Sequence, residues 1–497
     1  MKRLLSLLLT MVLIFGLCAC GSSDSTTAAT EQSDSTAGAP ATTEPAATEP
    51  AATEPAGLKV GFGREIVMPE VVQGVHLNGT DTAGRVCNGF LDYLKVTCIA
   101  LQDETGETSL VFTMDMLGIT AVVTNEMRPQ VAEATGVPEE RIMVCATHTH
   151  SAPAMSGDYT GAAAYKQVFL TGALKAAQDA VADLSYAEAS YGNTFTEKHL
   201  FVRHYVHDDG KITASSGITD ISRIVGHPTE ADEEMQIIRF TRPADGKKDV
   251  ILMSWNSHPT FHGGVKDDQI SADFPGPTRD YIESKGDYLV AYFTGDAGNQ
   301  APDSSIPAEK HRMDYREFGE SLGQICLDAL DSLKPATGTD VKISSQIYAA
   351  QANKEKLNML PQAREVRDIY DTQGRDAANA KASEYGLYQF LEANAIIRRS
   401  TSPDTVDIAM SALSIGDNIS MVFAPYEMFT NHGHALRTET PYDITFVSSC
   451  SNGSNSYIPS QEAFDYGCYE SYVATVAPGT GEELVAEYLK MLQTLKG

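Results

Sequence analysis

The sequence predicts an α/β fold of the mixed α+β kind: mixed β-sheets flanked by helices, in one large domain over residues 57–497. Three observations predict it. Short β-rich runs such as Ile142–Ala146 alternate with longer stretches whose apolar residues recur at helical spacing. No Pro/Gly/Ser-rich linker and no internal repeat divides 57–497. Hydrophobic residues make up 42% of the chain and charged residues 21%, enough apolar material for a real core.

In chain order, Leu110–Met114 is a short strand ending at Asp115, and a helical stretch runs from there to Thr135. The turn Gly136-Val137-Pro138 leads into the strand Ile142–Ala146. Tyr165 to Leu184 has helical spacing. Val250–Met253 and Leu289–Phe293 read as strands, and Tyr315 to Leu333 as a helix. Residues 354–400 are charged, Ala-rich and without β signature, which predicts helix. Ile408–Leu413 and Ile419–Ala424 flank the turn Gly416-Asp417-Asn418 and predict a hairpin. Ile444–Val447 is a further strand, and 482–495 a closing amphipathic helix.

Ahead of this domain the composition changes. Met1-Lys2-Arg3 is positive, and Leu4 to Leu17 is apolar except at Ser6, Thr10 and Gly16. The run is shorter than the roughly 18 residues a spanning helix needs and has the form of a secretory signal. Leu17-Cys18-Ala19-Cys20 resembles a bacterial lipobox, which makes residues 1–20 a lipoprotein signal peptide and Cys20 the lipidated residue. Residues 21–56 repeat Thr, Glu, Pro and Ala and cannot offset the entropy of folding, so they read as a disordered tether. The expected location is therefore extracytoplasmic, with Cys20 anchored in the cell membrane.

The chain carries 66 acids against 37 bases, net −29. Six of those acids lie in the tether and two bases in the signal, which leaves the folded part near −25. Such a surface excludes nucleic acid, since phosphate binding needs clustered Lys and Arg. Six cysteines fall in the folded part. Cys145, inside an apolar run, reads as a buried thiol; Cys450 with Cys468 is the one pair to test for a bridge.

Chemistry gathers at strand exits. His148 and His150 come after the strand 142–146 and, two apart in extended chain, face the same way. His258 comes after the strand 250–253, and Gly295-Asp296-Ala297-Gly298 after the strand 289–293. Those glycines suit a substrate loop around Asp296 and Gly298, while the run fits neither a Walker loop nor a dinucleotide fingerprint. Glu427 comes after 419–424, and a carboxylate behind an apolar strand is costly unless paired or metal-bound. A second His-x-His, His432 and His434, is the weaker metal candidate, one helical turn further on. Strand exits along a sheet edge are where α/β folds collect ligands. Two imidazoles and a carboxylate with a position open to water match a catalytic zinc inventory.

Taken in order, these motifs resemble the neutral ceramidase family, zinc amidases also called neutral/alkaline non-lysosomal ceramidases. The resemblance rests on Thr147 to Pro153, on Ser254-Trp255-Asn256-Ser257-His258-Pro259, on Pro425-Tyr426-Glu427-Met428-Phe429-Thr430, and on Asn452 with Tyr457-Ile458. It implies a ceramidase-like zinc hydrolase domain over 57–497, with zinc on His148, His258, Glu427 and Tyr457. His150 would contact substrate or move a proton, and Tyr469 with Arg203 would stabilise the oxyanion. The activity implied is hydrolysis of an N-acyl amide, of the kind met in sphingolipid metabolism, by metal-activated water. Gly298 stands where the family has a serine, and the chain ends near the point where full-length members continue into an immunoglobulin-like domain. Both departures point to a substrate other than ceramide. The alternatives are a surface-anchored binding lipoprotein with a degenerate metal site, and a hydrolase of esters or phosphates.

Overall fold

The computed structural model describes residues 57–497 apart from 80–83, 216, 217, 219, 245, 265, 303, 311 and 312. The signal, the tether and Cys20 lie outside the described residues.

Three sheets with helices between and around them make the fold, as the alternating pattern predicts. The first orders its strands Ile142–Ala146, Thr108–Met114, Lys95–Gln102, Lys59–Ile66 and Ser185–Tyr186. The second runs Tyr288–Thr294, Asp249–Trp255, Glu234–Thr241, Glu188–Phe195 and Lys334–Pro335. The third holds Val341–Gln351, Thr405–Ile415, Ile419–Phe423 and Ile444–Ser448. The hairpin expected from Ile408–Leu413 and Ile419–Ala424 is present as the antiparallel strands Thr405–Ile415 and Ile419–Phe423. Residues 354–400 are helical, as Leu360–Gln373, Arg375–Glu384 and Phe390–Thr401.

Each sheet has one parallel pair at its edge: Thr108–Met114 with Ile142–Ala146, Asp249–Trp255 with Tyr288–Thr294, and Ile419–Phe423 with Ile444–Ser448. Parallel strands are buried on both faces and read as unbroken apolar runs, which is what these segments are. One hydrophobic cluster joins all three sheets through Met143, Ile99 and Val111 of the first, Leu252, Ala291 and Phe293 of the second, and Leu413, Met421 and Phe446 of the third. The shared core brings the C-terminal ends of the three parallel pairs together.

Cross-sheet hydrogen bonds fix that meeting point. The Thr294 hydroxyl donates to the Thr147 carbonyl at 2.6 Å, and the Ser449 N–H donates to the Thr294 carbonyl at 3.0 Å. The Ala146 N–H donates to Cys450 O at 3.3 Å, and the Asn452 N–H to Val144 O at 2.7 Å. Each polar group is thereby satisfied away from water.

On the outer face of the first sheet, the helix Ala162–Ala182 lies directly on the strand Lys59–Ile66. Its buried residues Ala173, Ala176, Ala177 and Ala180 give it a flat side, and Gly61 and Gly63 meet it. A Cβ on Gly63 would sit 2.0 Å from Ala176 O, and one on Gly61 1.9 Å from Ala180 O. These glycines therefore serve close approach. Beneath the strand exits a bidentate ion pair joins Arg279, in the helix Pro275–Ser284, to Asp115, with distances of 2.8 and 2.6 Å and both side chains buried. Asp115 also accepts from the Thr147 hydroxyl at 3.2 Å, which ties the pair to the loop carrying His148.

This packing carries two expected outcomes. Arg279 has no other carboxylate in ion-pair range among the described residues, so Asp115→Ala leaves a buried, uncompensated guanidinium. Denaturant unfolding should show a loss of about 3–5 kcal/mol. Gly63→Ala should lower the melting temperature far more than Gly74→Ala, because no atom lies within 4 Å of a Cβ at Gly74 although its φ is +88°.

Candidate metal centre

The site is built from the three strand exits. His148 lies two residues beyond Ala146 and adopts φ +68°, a left-handed conformation uncommon for a side-chain-bearing residue. Such a backbone costs on the order of 1–3 kcal/mol and persists where its surroundings over-determine it; here the Thr294 and Asp115 hydrogen bonds to Thr147 do so. His258 leaves the second sheet three residues beyond Trp255 and is fully buried. Glu427 and Tyr457 come from a two-stranded parallel ladder in which they are register partners, Glu427–Met428 beside Tyr457–Ile458. Residues thirty apart in sequence thus stand side by side.

The imidazoles of His148, His150 and His258 converge, each offering one nitrogen, with all three within 4.8 Å of one another. Glu427 Oε2 lies 2.9 Å from His258 Nε2 and 3.3 Å from His148 Nε2. His150 Nε2 lies 3.4 Å from His148 Nε2. The His258 and Tyr457 rings stack with centroids 6.3 Å apart.

The far nitrogens decide the tautomers. His258 Nδ1 is 2.6 Å from Ala297 O and His148 Nδ1 is 2.5 Å from Leu117 O. A carbonyl oxygen only accepts, so both Nδ1 atoms carry the hydrogen and both Nε2 atoms present lone pairs in the neutral ring. These lone pairs face an ionised carboxylate. Acceptor against acceptor is repulsive unless a cation or a proton lies between them. Burial, with Arg203 nearby, pushes His258 down to about 4, which disfavours the proton there. Burial and the neighbouring His148 and His258 take His150 well below its usual value. His148 goes the other way: burial opposes its charge, but Cys450 and Glu427 raise it well above the ordinary imidazole range. Glu427 is held well below the carboxylate range, because His148 and His258 outweigh its burial. Either a proton on His148 or a divalent cation such as zinc can fill the gap to Glu427. Imidazoles with the second nitrogen on a carbonyl, beside an ionised carboxylate, are the donor set such a cation takes in place of that proton. The residues fit a metal.

The other expected site residues divide. Arg203 lies beside the centre: its Nη2 donates to Gly298 O at 2.8 Å and to Glu470 Oε1 at 2.8 Å, and its guanidinium is 5.5 Å from the Tyr457 ring centre. Tyr469 lies 5.7 Å, ring to ring, from Tyr457. His148, His150, Arg203, Glu427, Tyr457 and Tyr469 all line one cleft of 1220 Å³. The two residues expected in a substrate loop do not line it. Asp296 is fully buried and ion-paired with Arg437 at 2.5 Å. Gly298 has its N–H on Met428 O, and a Cβ there would be 2.7 Å from Glu427 O, so the backbone has closed over the place a serine side chain would need. The sequence pattern missed this because strand-exit glycines signal close approach without saying to what. His432 and His434 stand apart: His432 is buried against Gly481, and His434 lies 3.7 Å from Asp232. The bridge considered between Cys450 and Cys468 is absent. Both are free buried thiols, Cys450 at 3.4 Å from His148 Nδ1 and Cys468 at the start of the helix Tyr469–Val473.

Two supporting residues escaped the sequence reading. Glu470 bridges Arg203 and His204 at 2.8 and 3.0 Å, and its carboxyl is pulled down to about 2 by those two neighbours against its burial. With Cys468 these form a second close group of possible ligands, but Arg203 already balances its charge. The signal was adjacency: Glu470 is next to Tyr469 in the chain, and His204 is next to Arg203.

If the acceptors are balanced by a metal, Glu427→Gln should weaken zinc binding by at least the roughly 10–100-fold that losing an outer-shell partner costs. Competition with a chromophoric chelator measures it; unchanged affinity would remove Glu427 from the ligand set.

No family model and no curated protein matches the chain. Solved structures do. Neutral ceramidase from Pseudomonas aeruginosa superposes with a TM-score of 0.67 at 16% identity, covering 89% of this chain and 75% of that one. A ceramidase complexed with C2 gives 0.66 at 16% identity, covering 89% and 76%. With its three joined sheets and strand-exit cluster, the chain has the neutral ceramidase fold.

Proposed function

We propose that the chain is a zinc-dependent amide hydrolase that cleaves an N-acyl amide bond. The observation that carries this reading is the meeting of imidazole lone pairs with the Glu427 carboxylate at the floor of an open cleft. His148, His258, Glu427 and Tyr457 would hold the metal, which when bound supplies Lewis-acid polarisation of a carbonyl and a water of lowered pKa. The amide group enters between His150 on one side and Arg203 with Tyr469 on the other. His150, neutral at pH 7, takes a proton from the attacking water and returns it to the leaving nitrogen. The Arg203 guanidinium, fixed by Glu470 and Gly298 O, and the Tyr469 hydroxyl donate to the oxygen on which charge develops. The leader and tether would carry this domain at the outer face of the membrane, anchored through Cys20.

The protein loaded with zinc should hydrolyse N-dodecanoyl amides, and a chelator should abolish turnover reversibly. His150→Ala should lower kcat by about 10²–10⁴-fold while zinc content stays stoichiometric. Zinc-loaded wild type that turns over no amide rejects the proposal, and so does full activity in His258→Ala.

A further inference from the structure

Away from its metal-binding floor, the cleft has a cationic wall within a strongly acidic protein. Four arginines line the cleft, Arg203, Arg375, Arg398 and Arg399, against the carboxylates of Asp407, Glu427 and Glu470. Most of these charges are committed. Glu427 faces His148 and His258, and Glu470 holds Arg203 and His204. Arg399 is 4% exposed and donates to the carbonyls of Glu355, Tyr472 and Ala474. Asp407, exposed on the rim, remains on the acidic side, with Arg375 and Arg398 on the basic side.

Neither arginine has a carboxylate in ion-pair range among the described residues. Arg375 Nη1 is buried without a hydrogen-bond partner, and the guanidinium lies 5.5 Å from the Phe390 ring centre. An unpartnered buried N–H of a charged group is costly. Arg375 is also the first residue of the helix Arg375–Glu384, the end where the helix dipole disfavours a cation. Arg398 is exposed in the last turn of Phe390–Thr401, where the dipole does favour it, so its position alone says less. Both helices are anchored by their own small core, in which Tyr370 stacks on Phe390 at 4.5 Å. The wall is therefore presented on packed helices.

Resting on the amidase reading, we propose that Arg375 and Arg398 form a subsite for an anionic group, so that the substrate is an N-acyl amide bearing a carboxylate or phosphate headgroup. A guanidinium fork matches either group through paired hydrogen bonds, and such a group would give the buried Nη1 of Arg375 an acceptor. A neutral headgroup would leave the two positive charges without a counter-charge.

Sulfonamides, which resist hydrolysis, separate this inference from the amidase reading. Calorimetry on the full chain would compare dodecylsulfonyl-glutamate, dodecylsulfonyl-phosphoethanolamine and dodecylsulfonyl-ethanolamine. At least one anionic ligand should bind about 10-fold or more tightly than the neutral one, with an advantage that shrinks as salt rises. Which anion binds better identifies the headgroup. Arg375→Gln/Arg398→Gln should remove the advantage and leave affinity for the neutral ligand unchanged; should the double variant fold poorly, exposed Arg398→Gln alone should reduce it severalfold. Equal affinities in the wild type, or an advantage that survives both substitutions, overturns the inference. If the anion preference holds but zinc-loaded protein cleaves no N-dodecanoyl amide, the subsite stands and the amidase reading falls. Cleavage of N-dodecanoyl-ethanolamine and N-dodecanoyl-glutamate at equal kcat/KM, with equal sulfonamide affinities, does the reverse.

Discussion

The hydroxyl of Thr294 donating to the carbonyl of Thr147 is a small contact on which the centre depends. It joins the exit of the second sheet to that of the first, and the Thr294 carbonyl in turn takes the Ser449 N–H from the third. Three sheets assembled mainly by apolar contact could slide a little against each other, because hydrophobic burial is non-directional. Directional bonds at the strand ends remove that freedom where displacement would matter most. Side chains from positions 148, 258 and 427 can then meet within a few ångströms.

The same rigidity lets the centre hold groups in arrangements they would not choose. His148 stays left-handed, the imidazole of His258 turns a lone pair toward a carboxylate, and Glu427 remains ionised despite burial. Each costs free energy locally, and the surrounding core supplies the compensation, as is common where a fold concentrates its chemistry. The Asp115–Arg279 pair extends this support one layer down by bonding both the Thr147 hydroxyl and the helix behind it.

Much of this could be read in the sequence, for identifiable reasons. Strands such as Ile142–Ala146 and Ile419–Phe423 are parallel and buried, so they stand out as short apolar runs, and the residues just past the end of such a run lie at a sheet edge. That logic reached His148, His258 and Glu427 without coordinates. Tyr457 and Tyr469 entered only through the resemblance, since nothing local marks a tyrosine in a two-residue ladder. Asp296 and Gly298 occupy an equally good strand exit yet face inward, because Arg437, from a distant helix, claims the carboxylate. Arg375 and Arg398 were hidden in a charged helical stretch whose pattern specifies helix and not which side chains overlook the cleft. Side-chain pairing across long sequence separations is where pattern reading stops.

All six cysteines among the described residues are buried, and none is joined to another. Among the described residues, no disulfide contributes to the cohesion that packing and polar pairing give. A reducing agent therefore finds no cross-link to sever among these residues.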